Sequence, residues 1–133
     1  MSYDLNVYLQ RCNMPTSRAW KQAIAEAGFP VILYEDFEVL SFSGFLPCHV
    51  DGILAGFEYY AMSVSSEEIS ELALPSQMDF SVLFCIGSAP LEMTTALVAS
   101  SVLASISGGF LVDPQERTVI HTRDAIHWAS SRL

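Results

Sequence analysis

A chain of 133 residues, 51% of them apolar and with only seven glycines and six prolines, carries enough hydrophobic material for one globular domain spanning 1–133. Six basic and 15 acidic residues leave a net charge of -9. No Lys or Arg occurs between positions 22 and 116, where 13 of the 15 carboxylates lie. Phosphate recognition needs a basic stripe, and anionic membrane surfaces repel such a chain, which leaves a basic protein partner or no charged partner at all.

The start "MSYDLNVYLQRC" has no basic segment followed by an apolar one, so no signal peptide is expected. The longest apolar tract, "TTALVASSVLASI", is about 13 residues against the roughly 20 of a bilayer span, and a soluble, cytoplasmic protein is expected. Cys12, Cys48 and Cys85 form an odd set without C-x-x-C spacing, which fits reducing surroundings better than a disulfide framework or a zinc knuckle.

Residues 3–9 alternate as a half-buried strand. "PTSRAWKQAIAEAGFP" reads as a helix capped by Thr16 or Ser17, with Trp20, Ala23, Ile24 and Ala27 inward and a stop at Gly28 and Pro30. "VILYE" and "EVLSFSG" predict two strands about an acidic turn at Glu35-Asp36. A loop around Cys48-His49 follows, and then a long strand, "ILAGFEYYAMSV", whose Gly56 signals a bulge or a close backbone approach. "SSEEISELALP" predicts a short helix with Ser65 and Glu68 as a capping box. "DFSVLFCIG", apolar on both faces, predicts a central strand. A long helix is expected from Ser88 to Gly108, slim enough at Ala96, Ala99, Ser100, Ser101 and Ala104 to lie close to a sheet. A hairpin, "GFLVD-PQER-TVIH", and a final helix capped by Thr122 complete the chain.

This order predicts an α+β fold: a mostly antiparallel sheet with two longer helices on one face. Its core would be a split β-α-β arrangement of ferredoxin-like type with inserted strands.

The cluster Cys48-His49-x-Asp51 invites a catalytic or metal reading. In an extended chain Cys48 and His49 point to opposite faces, and Asp51-Gly52 is a hairpin signal, so a turn is favoured over a nucleophilic pair. His121 and His127 lack the spacing of a helical ligand pair. No G-x-S-x-G element or phosphate loop occurs, and neither an enzyme, a cofactor nor a metal site is expected. A small enzyme using Cys48 and His49, or an oligomeric structural subunit, is the alternative.

The candidate partner surface is acidic and aromatic. Glu58, Tyr60 and Met62 share one strand face, with Phe57 and Tyr59 on the other. Glu67, Glu68 and Glu71 of the short helix, and Glu35, Asp36 and Glu38 of the earlier turn, would extend that surface. Tyrosine and methionine suit interface centres, and carboxylates steer basic partners. A solvated surface that only keeps the chain soluble is the competing reading.

With this acidic gap, its small size and the ending "GGFLVDPQERTVIHTRDAIHWA", the chain resembles small bacterial α+β immunity proteins of contact-dependent growth inhibition and related polymorphic toxin systems. The resemblance implies a cytoplasmic inhibitor that binds one cognate toxin, often a basic nuclease, and blocks its active site or substrate path. It carries no catalytic motif.

Overall fold

In chain order, a computed structural model describing residues 3–133 contains β1 (Tyr3–Leu9), α1 (Ser17–Glu26), β2 (Val31–Leu33), β3 (Ser43–Val50), β4 (Ile53–Ser63) and α2 (Ser66–Glu71). β5 (Phe80–Ile86), α3 (Glu92–Ser107), β6 (Phe110–Asp113), β7 (Thr118–Ile120) and α4 (Ala125–Ser130) follow. Met1 and Ser2, the start of the stretch read against a signal peptide, lie outside the described residues.

All seven strands join one sheet in the order β2-β3-β4-β5-β1-β6-β7, and every neighbouring pair is antiparallel. β5 and β6 both pair antiparallel with β1, so they run parallel to each other with α3 as their crossover. β1 and β4 stand in the same relation about β5, with α1 in the connection. The strands β4-β5-β1-β6 thus form the expected split β-α-β core. β2 and β3 are inserted after α1 and extend one edge, while β7 extends the other.

The helices α1, α3 and α4 lie on one face, over Leu5, Val7, Leu9, Phe57, Tyr59, Val82 and Phe84. Trp20 is the hub of that core. It is fully buried, its ring meets Phe37, Tyr59 and Phe84, and its Nε1 donates to the Ala99 carbonyl at 3.0 Å. That bond binds α1 directly to α3. Every residue of α3 from Thr95 to Ala104 is buried, as befits a helix covered on all sides by the sheet, α1 and α4. Its hydroxyls at Ser100 and Ser101 turn inward to the Leu97 and Val98 carbonyls, so close packing leaves no stranded donor there.

Five local expectations need correction. Ala27, expected inward, is exposed at the C-cap of α1, beyond the last buried residue of the helix, Ile24. "EVLSFSG" is not a strand up to Ser43: residues 34–42 form a loop folded over the end of the helix-side core. Phe37 and Phe42 stack against Tyr59, with ring centroids 5.3 and 6.0 Å away, and the Tyr59 hydroxyl donates to the Val39 carbonyl at 2.5 Å. Aromatic burial outweighed strand propensity. The loop expected around Cys48-His49 is strand β3, and the turn shrinks to Asp51-Gly52, both at positive φ, between the paired residues Val50 and Ile53. α3 begins at Glu92 and not at Ser88, because the Glu92 carboxylate reaches back to the Gly87 N–H at 2.8 Å and closes a turn ahead of the helix. Thr122 does not cap the last helix. Its hydroxyl donates to the Gly109 carbonyl and ties the 3-10 turn Thr122–Asp124 to the start of β6.

Capping by Thr16 is as expected, with its hydroxyl accepting from the Ala19 N–H at 3.1 Å. At Gly56, φ is +140°, and a Cβ would strike the Leu46 carbonyl oxygen and the Phe45 ring. The glycine is therefore required by a close backbone approach between β3 and β4.

Candidate functional site

The second face of the sheet is covered only in part. α2 and the residues after it lie across β1 and β6, where Ile69, Leu74 and Met78 pack on Tyr8 and Val112. Ser65 caps α2 by accepting from the Glu68 N–H, but the reciprocal half of the expected capping box is not made. The Glu68 carboxylate instead accepts from the Tyr8 hydroxyl at 2.9 Å, which pins the helix to the sheet. Burial and then this bond push the Tyr8 phenol up.

Beyond α2 the face is open. One register row crosses it as Phe45, Glu58, Cys85 and Asp4, and the next as Ser43, Tyr60, Leu83 and Asn6. Strand alternation buries Phe57 and Tyr59 against the helices and turns Glu58, Tyr60 and Met62 outward, as the sequence predicts. The Tyr60 hydroxyl donates to one Glu58 oxygen at 2.9 Å. That bond raises the phenol's pKa and fixes the carboxylate's orientation. Cys85 reports the local field: burial first, and then the carboxylates of Asp4 and Glu58, push its thiol up to about 11.

The eight sequence-predicted site residues do not share a surface. Glu58 and Tyr60 occupy the middle of the open face, and Glu67, Glu68 and Glu71 stand on α2 at its margin. Glu35, Asp36 and Glu38 belong to the loop that folds toward the helix side. Glu35 lies 3.6 Å from Arg18 and 3.4 Å from Lys21, so its charge is already matched within the chain. Ser17 also donates to its carbonyl at 2.5 Å. The open face gains instead Asp4, Phe45 and Leu83, which sequence reading did not single out. Alternation in β1 put Asp4 opposite the buried Leu5 and Val7, but only the pairing of β5 with both β1 and β4 places it in the row of Glu58, with Cys85 between them.

The Cys48-His49-x-Asp51 cluster is dispersed. Cys48 is fully buried among the helix-side core, where desolvation pushes its thiol up to about 12. His49 points to the opposite, exposed side, beside Ile32 and Leu54 in the register. Sulfur and imidazole therefore cannot share a proton, and a thiol so raised is a poor nucleophile at neutral pH. Among the described residues, no group of three or more His, Cys, Asp or Glu side chains is arranged to hold a metal ion. No helix among them is long and apolar enough to cross a membrane.

Arg18 and Lys21 are on α1 and Arg123 lies in the 3-10 turn before α4, while Arg132 stacks on Trp128 with its guanidinium 4.2 Å from the ring centroid. The strands β2 to β5 contain neither Lys nor Arg. The arrangement offers fixed negative charge, aromatic hydroxyls and exposed apolar side chains on a rigid sheet. No protein family, curated protein or solved structure was found to match the chain.

Proposed function

We propose that the chain is an immunity protein, a cytoplasmic inhibitor that binds a cognate, basic, nuclease-like toxin domain and covers its substrate path. The observation that carries this reading is the open sheet face: Asp4, Glu58 and Tyr60 in its centre, Glu67 and Glu71 at its margin, and no cation on the strands between. A nuclease presents Lys and Arg to a polyanion, and a rigid carboxylate array competes for the same groups. Long-range attraction raises association above the roughly 10⁵–10⁶ M⁻¹s⁻¹ of uncharged pairs. Binding then needs no catalysis, cofactor or metal from the inhibitor.

The test is a charge reversal. Glu58→Lys, Glu67→Lys and Glu71→Lys are combined and titrated against a basic nuclease toxin domain that the unaltered chain binds. Glu68 is left intact because it holds α2 to Tyr8. The expected result is an association rate at least about tenfold lower at low salt, with a flatter dependence on ionic strength. Unchanged rate and salt dependence would remove the open face from the interface.

A further inference from the structure

β4 outruns its neighbour. β5 pairs with it only from Glu58 to Ser63, whereas β3 pairs with it from Ile53 to Tyr60. Residues 53–57 of β4 therefore have a strand on one side only. On the other side runs the turn into α3, and Thr95 donates to the Gly56 carbonyl at 3.2 Å. Between them lies a groove of about 310 Å³, walled by Phe45, Ile53, Leu54 and Ala55 and by the turn at Ala89, Pro90 and Leu91. Its walls are unusually apolar for exposed positions: Phe45 is 50% accessible, Ile53 58% and Leu54 63%.

The rim of this groove is acidic. Asp51 precedes Ile53 in the turn, Glu58 is the register partner of Phe45, and Glu92 lies on the wall. No Lys or Arg occurs anywhere in the segments that build it. We infer that the groove seats one extended segment of a partner protein, with an aliphatic or aromatic residue in the apolar slot and Lys or Arg on either side. This deepens the proposed function and rests on it: the acidic face supplies attraction, and the groove supplies an anchor that fixes register. An extended occupant suits the site because backbone at 53–57 is flanked by a strand on one side alone, and peptides recognised at sheet edges read out alternate side chains into such pockets. The one-residue anchor is the kind of contact on which binding energy concentrates.

Three capped pentapeptides test it against the full chain by amide chemical-shift titration: Lys-Lys-Leu-Lys-Lys, Lys-Lys-Ser-Lys-Lys and Glu-Glu-Leu-Glu-Glu. The leucine peptide with lysines is expected to shift Leu54, Ala55, Ala89 and Leu91, and to bind about tenfold tighter than its serine counterpart. The acidic peptide is expected not to bind. Leu54→Ser is expected to abolish the leucine preference; Leu54 is exposed, so the fold is not at stake. Equal affinity for the leucine and serine peptides, centred on Glu58 and Asp4, would overturn the groove while leaving the acidic face in place. Absence of binding by both lysine peptides would overturn both readings. A second copy of this chain is the rival occupant. Concentration-dependent dimerisation in sedimentation equilibrium that Leu54→Ser abolishes would assign the groove to self-association and overturn the partner proposed here.

Discussion

The two faces of the sheet are made from the same strands and differ in almost every physical respect. The helix side is dry and aromatic, organised around Trp20, Tyr59 and Phe84 and sealed by α3. Polar groups are paired inside that core, as Trp20 is with Ala99 and Tyr59 with Val39, with the buried Ser107 hydroxyl of α3 left unpartnered. The other side carries Glu58, Tyr60, Met62 and Phe45 into solvent and is covered only where α2 crosses β1 and β6. Alternation with period two lets one strand serve both environments, and on the proposed function stability and recognition fall to opposite faces of the same strands. A mutation's effect should then depend on which face it strikes.

The sharpest way to break that division is Trp20→Ala. It is expected to cost about 3–5 kcal/mol in chemical denaturation, through lost burial and a cavity among three rings. Met62→Ala on the open face should cost less than about 0.5 kcal/mol, and comparable losses for both would dissolve the distinction. Next in size is Gly56→Ala, where positive φ and the Leu46 carbonyl oppose any Cβ. A loss of about 1–3 kcal/mol in thermal or urea unfolding is expected. A neutral result would mean that β3 and β4 separate more easily than their pairing implies.

A smaller effect tests the partial cover. Tyr8→Phe removes the hydroxyl that donates to Glu68, and about 1 kcal/mol should be lost. Faster amide exchange is expected in α2 and not in α3; uniform acceleration would show that α2 is not a separable cover.

The smallest expected effect concerns alkaline pH. Burial and then the hydrogen bond to Asp113 raise the Tyr3 phenol from 10.0 to about 12. Burial alone raises Cys48 from 9.0 to about 12. The folded chain thus holds both protons more tightly than the unfolded chain. The stability they contribute is fully present below pH 9 and declines as pH rises through about 12. Tyr3→Phe should flatten that decline above pH 10 in urea midpoints, and Cys48 should resist alkylation at pH 8 until the chain unfolds. A native Cys48 that alkylates as fast as Cys12 would contradict its burial.

Much of the fold is legible in the sequence because periodicity is local. The alternation in β1 and β4, the doubly apolar run of β5, the Thr16 cap and the Asp51-Gly52 turn all find their elements. The misreadings arise where a distant side chain decides. Tyr59 draws Phe37, Val39 and Phe42 out of a strand and over the core. Tyr8 takes the Glu68 carboxylate that a capping box would use. The candidate surface was legible only in its β4 and α2 parts. Asp4 joins it through its pairing with Cys85, 81 positions along the chain, and Phe45 through its pairing with Glu58, 13 positions along, contacts that no local pattern encodes; Glu35 leaves it because α1 brings Arg18 and Lys21 alongside.

On the proposed function, the open face and not the helix layer meets the partner. Hydrogen exchange of the chain alone and bound to the proposed basic toxin domain tests it most directly. The account predicts slowed exchange in β4 from Ile53 to Met62 and in β3 from Ser43, with α1 and α4 unchanged. Protection confined to α1, α4 or the 34–42 loop would contradict it.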